Sequence, residues 1–135
     1  MFAMLNRNLL KSVMLADGVF SLAAALGLFA FAAPLSTLAG PAATPGVFQA
    51  LSAFFLLWGL FHLAVGRSDT PSPAAVRFAI AGDVLWIAGS LVVVALAGDG
   101  LTFAGKVAVV VVAVAVADIL LLKVVGLGRR RSYAA

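Results

Sequence analysis

Cysteine is missing from the 135-residue chain. That absence removes thiol catalysis, disulfide staples, iron–sulfur ligation and thiolate metal sites together. Histidine is nearly missing, with His62 the single example, so a bis-histidine haem is excluded. A chlorophyll-type tetrapyrrole on His62 is disfavoured because the bulky Trp58 stands four residues before it. There is no phosphate-cradling glycine loop, no zinc-binding helix motif and no nucleophile placed beside the histidine. The expectation is a chain without catalytic chemistry, resident metal or cofactor.

Charge is also scarce. Lys, Arg, Asp and Glu make up 10% of the residues, against roughly a quarter in soluble domains. What replaces them is apolar: 64% of the chain is hydrophobic and the mean hydropathy is +1.20. A soluble domain of this size leaves about a third of its surface in water and needs polar residues to cover it. Here lipid must do the covering, and the lipid bilayer is the first partner the composition names. The high isoelectric point, about 10.4, does not indicate nucleic acid, because the bases stand at the ends of apolar runs instead of along one polar face.

A hydrocarbon core about 30 Å thick needs roughly 20 apolar helical residues. Four windows qualify, about Ser12–Ala33, Val47–Val65, Ala74–Ala97 and Ala104–Val125. The valine-rich fourth has no turn signal over its length and exceeds an ordinary strand, and backbone groups in lipid must be satisfied within the segment, so it too reads as a helix. Pro34, Gly40, Pro41, Pro45 and Gly46, then Gly66, Pro71 and Pro73, then Gly98 and Gly100 mark the linkers, with Thr70 and Ser72 as helix-entry signals. The first apolar stretch, about 22 residues with Asp17 inside it, is too long for the 7–15 residue core of a cleaved leader.

Short linkers predict a single all-α domain over residues 1–135, a four-helix bundle running up-down-up-down, with residues 126–135 as a basic tail. Arg7, Lys11, Arg67, Arg77, Lys123, Arg129, Arg130 and Arg131 all fall on one face of such a bundle, and only Lys106 falls on the other. The positive-inside rule makes that face cytoplasmic and places both termini there. Aligning Lys11 with Arg77 sets Asp17 on Asp83 and Phe20 on Trp86, the pattern of a duplicated helical hairpin.

Counting along the helices places Asp17, His62, Asp83 and Asp118 at similar depth in the cytoplasmic leaflet, with Ser21 and Ser90 on the faces of the first and third spans that carry Asp17 and Asp83. Trp58 and Trp86 lie too deep for interfacial anchors and read as core fillers whose indole N–H needs a partner. The wheel separates Lys123 from Asp118 by about 140°, and Lys123 is expected to snorkel to the head groups. The carboxylates then either pair with Lys11, Arg77, His62 or the serines to fix helix register, or line a cytoplasm-facing cavity for a proton or cation. A metal held by Asp17, His62, Asp83 and Asp118 is conceivable by ligand type but has no same-helix ligand pair behind it.

The segments "DVLWIAGS" (residues 83–90) and "LTFAG" (101–105) resemble a group of small, unassigned bacterial four-span membrane proteins with Asn or Asp, then Trp three on, then Ser four further in the third helix. The resemblance implies the four-span fold, a bacterial cytoplasmic (inner) membrane setting and, where Asn stands, a hydrogen-bonding role for the Asp83 position. It implies no activity. The leading expectation is an accessory or scaffold subunit that packs against a larger membrane complex or itself, through small-residue stripes such as Gly18, Ser21 and Ala25. A small transporter or channel using the Asp residues, or a binder of lipid or a hydrophobic small molecule beside His62 and Trp58, are the alternatives. The tail "GRRRS" either holds the chain end in the cytoplasm or adds contact with anionic lipid.

Overall fold

A computed structural model describes residues 8–134, with side chains described to residue 129. Arg7 lies outside the described residues, as do the side chains of Arg130 and Arg131. Within them the fold is all helical: α1 Leu9–Ala30, α2 Ala32–Ala39, α3 Pro45–Gly66, α4 Pro73–Leu96 and α5 Phe103–Ala134, with one 3₁₀ turn at Gly98–Gly100. Four of these helices, α1, α3, α4 and α5, are long and apolar enough to cross a membrane.

Proline sets several of the boundaries. Pro45 and Pro73 open α3 and α4 at the first helical position, where the missing N–H has no partner to lose. Ser72 stands immediately before Pro73 as expected. Pro34 acts differently from its expected role as a stop. Its missing N–H and its ring are incompatible with a bond to Ala30 four residues back, so α1 ends at Ala30 and the chain restarts at once as α2, with Pro34 in the first turn. The expected linker is therefore partly a short helix. The tail also differs: α5 runs on through the basic residues to Ala134.

Helix α1 packs along α3, and α4 packs along α5; α1 also crosses α5, whereas the backbones of α3 and α4 approach at few points. Small residues make the first pairing intimate. A Cβ on Gly59 would stand 3.0 Å from the Gly18 carbonyl oxygen, and one on Gly18 would overlap Leu63. Ser52 adds a tie by donating from Oγ to the Ala25 carbonyl at 2.7 Å. The α3 to α4 pairing is held apart by rings. Phe54 stacks on Trp86, Phe55 meets Trp86 edge-on with centroids 5.0 Å apart, and Phe78 on α4 meets both Trp58 and Phe61. Gly82 on α4 is what admits the Trp58 ring, since a Cβ there would lie 2.3 Å from it.

The connections after α2 and after α4 are stitched together. Thr102 donates from its backbone N–H to Ala39 O and from its hydroxyl to Leu38 O, and Ala42 N–H donates to Gly100 O. Gly40 takes φ +114 at this junction, a conformation that favours glycine. Gly105 lies closer still: an added Cβ would be 2.4 Å from Ala39 O. Because that obstacle is backbone, Gly105→Ala is expected to lower stability by about 1–3 kcal/mol, read as an earlier circular-dichroism melt in detergent; Gly89→Ala, where a Cβ meets nothing within 4 Å, is the matched control.

Elsewhere Lys11 on α1 pairs with Asp69 in the α3–α4 connection, so Lys11 does not serve Asp17. The hydrogen bond and charge of Lys11 hold the exposed Asp69 carboxyl below its ordinary value of 3.8. A depressed carboxylate contributes stability above its unfolded value and loses it as pH falls through its folded value. Asp69→Asn should therefore melt slightly earlier than the parent at neutral pH, and the gap should narrow as pH falls below 3.8.

Candidate functional site

The largest fully buried side chain among the described residues is a lysine. Lys123 on α5 has no exposed surface, and it is surrounded by Asp17 of α1 (6% exposed), His62 of α3 (0%) and Asp83 of α4 (3%). Its ammonium donates to Asp17 Oδ2 at 2.5 Å, to Asp83 Oδ2 at 2.7 Å and to His62 Nε2 at 2.9 Å. An ammonium has three N–H donors, and here each reaches an acceptor on a different helix. All four membrane-length helices thus meet at one nitrogen.

The acceptors are themselves oriented. His62 Nδ1 lies 2.9 Å from the Trp58 carbonyl oxygen, one turn back on α3. A carbonyl only accepts, so Nδ1 carries the proton and a neutral imidazole presents its Nε2 lone pair to Lys123. Ser21, one turn on from Asp17, approaches Asp17 Oδ1 at 3.5 Å. Trp58 packs edge-on against the imidazole, centroids 4.9 Å apart. Beside the cluster a cavity of about 20 Å³ is lined by Asp17, Ser21, Trp58, Asp83 and Trp86, among others. That is room for one water and not for an acyl chain. Trp86 Nε1 is buried without a hydrogen-bond partner, so the partner its indole was expected to need is not supplied by the described residues.

Two expectations are overturned. Asp118 does not join the other acids: its side chain is exposed on the outside of α5. Lys123 does not snorkel to the head groups but sits inside. The wheel angle between them was sound, but which of the two faces inward is the reverse of the expectation. The physical reason is charge. Two carboxylates and an imidazole already converge from α1, α3 and α4; a third carboxylate would add repulsion, whereas an ammonium neutralises one charge and saturates its own donors. A signal for this stands in the sequence. Lys123 follows Gly105 by 18 residues, or five turns at about 3.6 residues per turn, and precedes Gly126 by three, so it shares the small-residue face that packs closely.

The remaining site residues separate clearly. Asp17, His62 and Asp83 converge as expected, and Ser21, Trp58 and Trp86 border them. Ser90 is half-buried, about 10 Å along α4 from Asp83 by helical rise, and does not line the cavity. Arg67, Arg77 and Arg129 are exposed, and the pairing considered between Arg77 and the cluster is not made. Asp17 and Asp83, aligned with each other in the sequence, both accept from Lys123, while the helices that follow them bring a histidine in one case and the lysine itself in the other. No family model, no curated protein and no solved structure matches the chain.

Proposed function

We propose that this chain is a non-catalytic subunit of the cytoplasmic membrane that docks the outer face of α5 against a transmembrane helix of another protein. The observation that carries the reading is the exposed Asp118. By helical rise it lies about 22 Å from Phe103 and 16 Å from Arg129, near the middle of the span. A carboxylate facing lipid at that depth costs at least about 2.5–3.5 kcal/mol, and no ion pair relieves it among the described residues.

Its neighbours on the same face make a seam. Val107, Val111, Val114, Asp118, Leu121 and Val125 follow each other at intervals of four, three, four, three and four, and all are exposed. That is the 3.5-residue spacing at which one helix packs along another, and a single polar residue in such a seam sets its register. Charge complementarity names the occupant as a span with Lys, Arg or His at the depth of Asp118. Lys123, inside the bundle, is already saturated and cannot supply that charge.

The orientation follows the bases. An up-down-up-down bundle with both ends cytoplasmic places Lys11, Asp69, Arg67 and Arg77 on the inner side, and the stitched connections around Gly40, Gly100 and Thr102 on the outer side. The Lys11 to Asp69 pair at one end and the Thr102 bonds at the other support that arrangement.

A photo-crosslinker at Val114 in host membranes tests the docking. The expected product is an adduct with another membrane protein. Asp118→Lys should reduce it at least tenfold, an acid placed at the partner's basic position should restore it, and a crosslinker on the exposed Leu85 of α4 should be indifferent to both. No adduct, an adduct indifferent to Asp118→Lys, or an adduct with a second copy of this chain alone overturns the reading.

A further inference from the structure

The cluster around Lys123 is complete in hydrogen bonds and incomplete in charge. With Nδ1–H given to the Trp58 carbonyl and Nε2 accepting from the ammonium, the imidazole adds no charge, so Asp17 and Asp83 carry two negative charges against one positive on Lys123, leaving one negative charge in an apolar interior. The acceptors are also too close together to stand without a cation between them. Asp17 Oδ2 and His62 Nε2, both presenting lone pairs, are 3.0 Å apart, and single ligand atoms of Asp17, His62 and Asp83 all lie within 4.8 Å of one another. What holds them together is the ammonium nitrogen seated among them, at the centre of a two-carboxylate, one-imidazole set.

We propose that Asp17, His62 and Asp83 form a binding site for a divalent transition-metal ion, which exchanges with the Lys123 ammonium. Three features support it beyond the presence of the acids. First, a histidine that donates Nδ1–H to a carbonyl and turns Nε2 inward is the arrangement by which proteins orient an imidazole for a metal. Second, exchanging an ammonium for a divalent ion takes the ligand set from one excess negative charge to none, which an apolar interior favours. Third, the site borders a cavity large enough for a water, which can complete the coordination of a three-ligand ion. The imidazole selects the class: nitrogen with carboxylate oxygen suits Mn, Fe, Co or Zn, whereas Ca and Mg favour all-oxygen sets. The leaving ammonium has somewhere to go. It rides on a flexible four-carbon stem two turns before Arg129 on the same helix, so it can swing towards the helix end that carries the basic residues.

The test uses the full chain in mild detergent, freed of metal, with Co²⁺ as the probe. Visible absorption of Co²⁺ reports ligand type and geometry, and the single histidine makes the nitrogen ligand unambiguous. The wild-type chain should bind one Co²⁺ with a ligand-field spectrum distinct from aquo-Co²⁺, and Zn²⁺ should displace it. Lys123→Met, which removes the competing cation, should bind at least about tenfold more tightly, and Asp83→Asn at least about tenfold more weakly. Circular dichroism of each variant verifies the helices. Since the wild-type spectrum needs no substitution, the proposal stands or falls even if a variant fails to fold. A wild-type chain that leaves aquo-Co²⁺ unchanged at millimolar metal overturns it, and so does binding confined to Lys123→Met, which would make the ammonium a permanent occupant. Binding unaffected by Asp83→Asn also overturns it.

Discussion

Lys123→Met should be the most damaging single substitution in the bundle. It keeps an unbranched side chain of similar length but removes the cation, leaving two carboxylates and an imidazole lone pair facing one another in a site that water scarcely reaches. Breaking a buried ion pair from one side costs about 3–5 kcal/mol, because the partner is left charged and unpaired. The expected result is a large downward shift of the circular-dichroism melt in detergent. Replacing the whole network should be milder: Asp17→Asn, Asp83→Asn and Lys123→Met together leave no uncompensated buried charge, which is what makes breaking the pair from one side costly. The recovered melt of the triple variant separates a charge effect from lost packing. A Lys123→Met chain as stable as the parent would show that the ammonium is not what holds the carboxylates in place.

The second large effect concerns the aspartates taken two at a time. Asp17→Asn alone leaves one carboxylate, one ammonium and a neutral imidazole, and the amide oxygen still accepts from Lys123. The net charge falls from minus one to zero. Asp83→Asn does the same from the other side, so each single variant should change stability by less than about 1.5 kcal/mol. The double variant leaves an ammonium facing two amides and an imidazole, and should lose about 3–5 kcal/mol, as when either side of a buried pair is stripped. The signature is the failure of additivity. Residues sharing one network typically couple by about 0.5–3 kcal/mol, and a double-mutant cycle on the melts measures the coupling. Additive losses would mean that Lys123 interacts with the two acids independently.

Much of the fold was legible in advance because lipid leaves so few solutions. Apolar length located the four spans to within a few residues, and proline with its preceding Ser72 marked where α4 begins. The convergence of Asp17, His62 and Asp83 was legible as well, since depth follows from counting rise per residue and carboxylates avoid lipid. The exchange of roles between Asp118 and Lys123 was harder. A helical wheel gives the angle between two residues on a helix but not which of them points inward. That second quantity usually comes from contrast between an apolar and a polar face, and α5 is valine, leucine and alanine on nearly every side. Only glycine placement breaks the tie, because Gly105 and Gly126 mark the flank where another backbone comes near. The short helix α2 was missed for a related reason: Pro34 stops one helix and is welcome in the first turn of the next, and the residue alone does not distinguish the two.

The ring-filled boundary between α3 and α4 has a mechanical consequence. Side chains, not close backbones, span it, with most of the rings meeting edge-on or tilted, so it is the looser seam between a tightly meshed pair, α1 with α3, and a second pair, α4 with α5. Under heat or load the two halves should part there first, with the charged knot at Lys123 as the last fastening to let go.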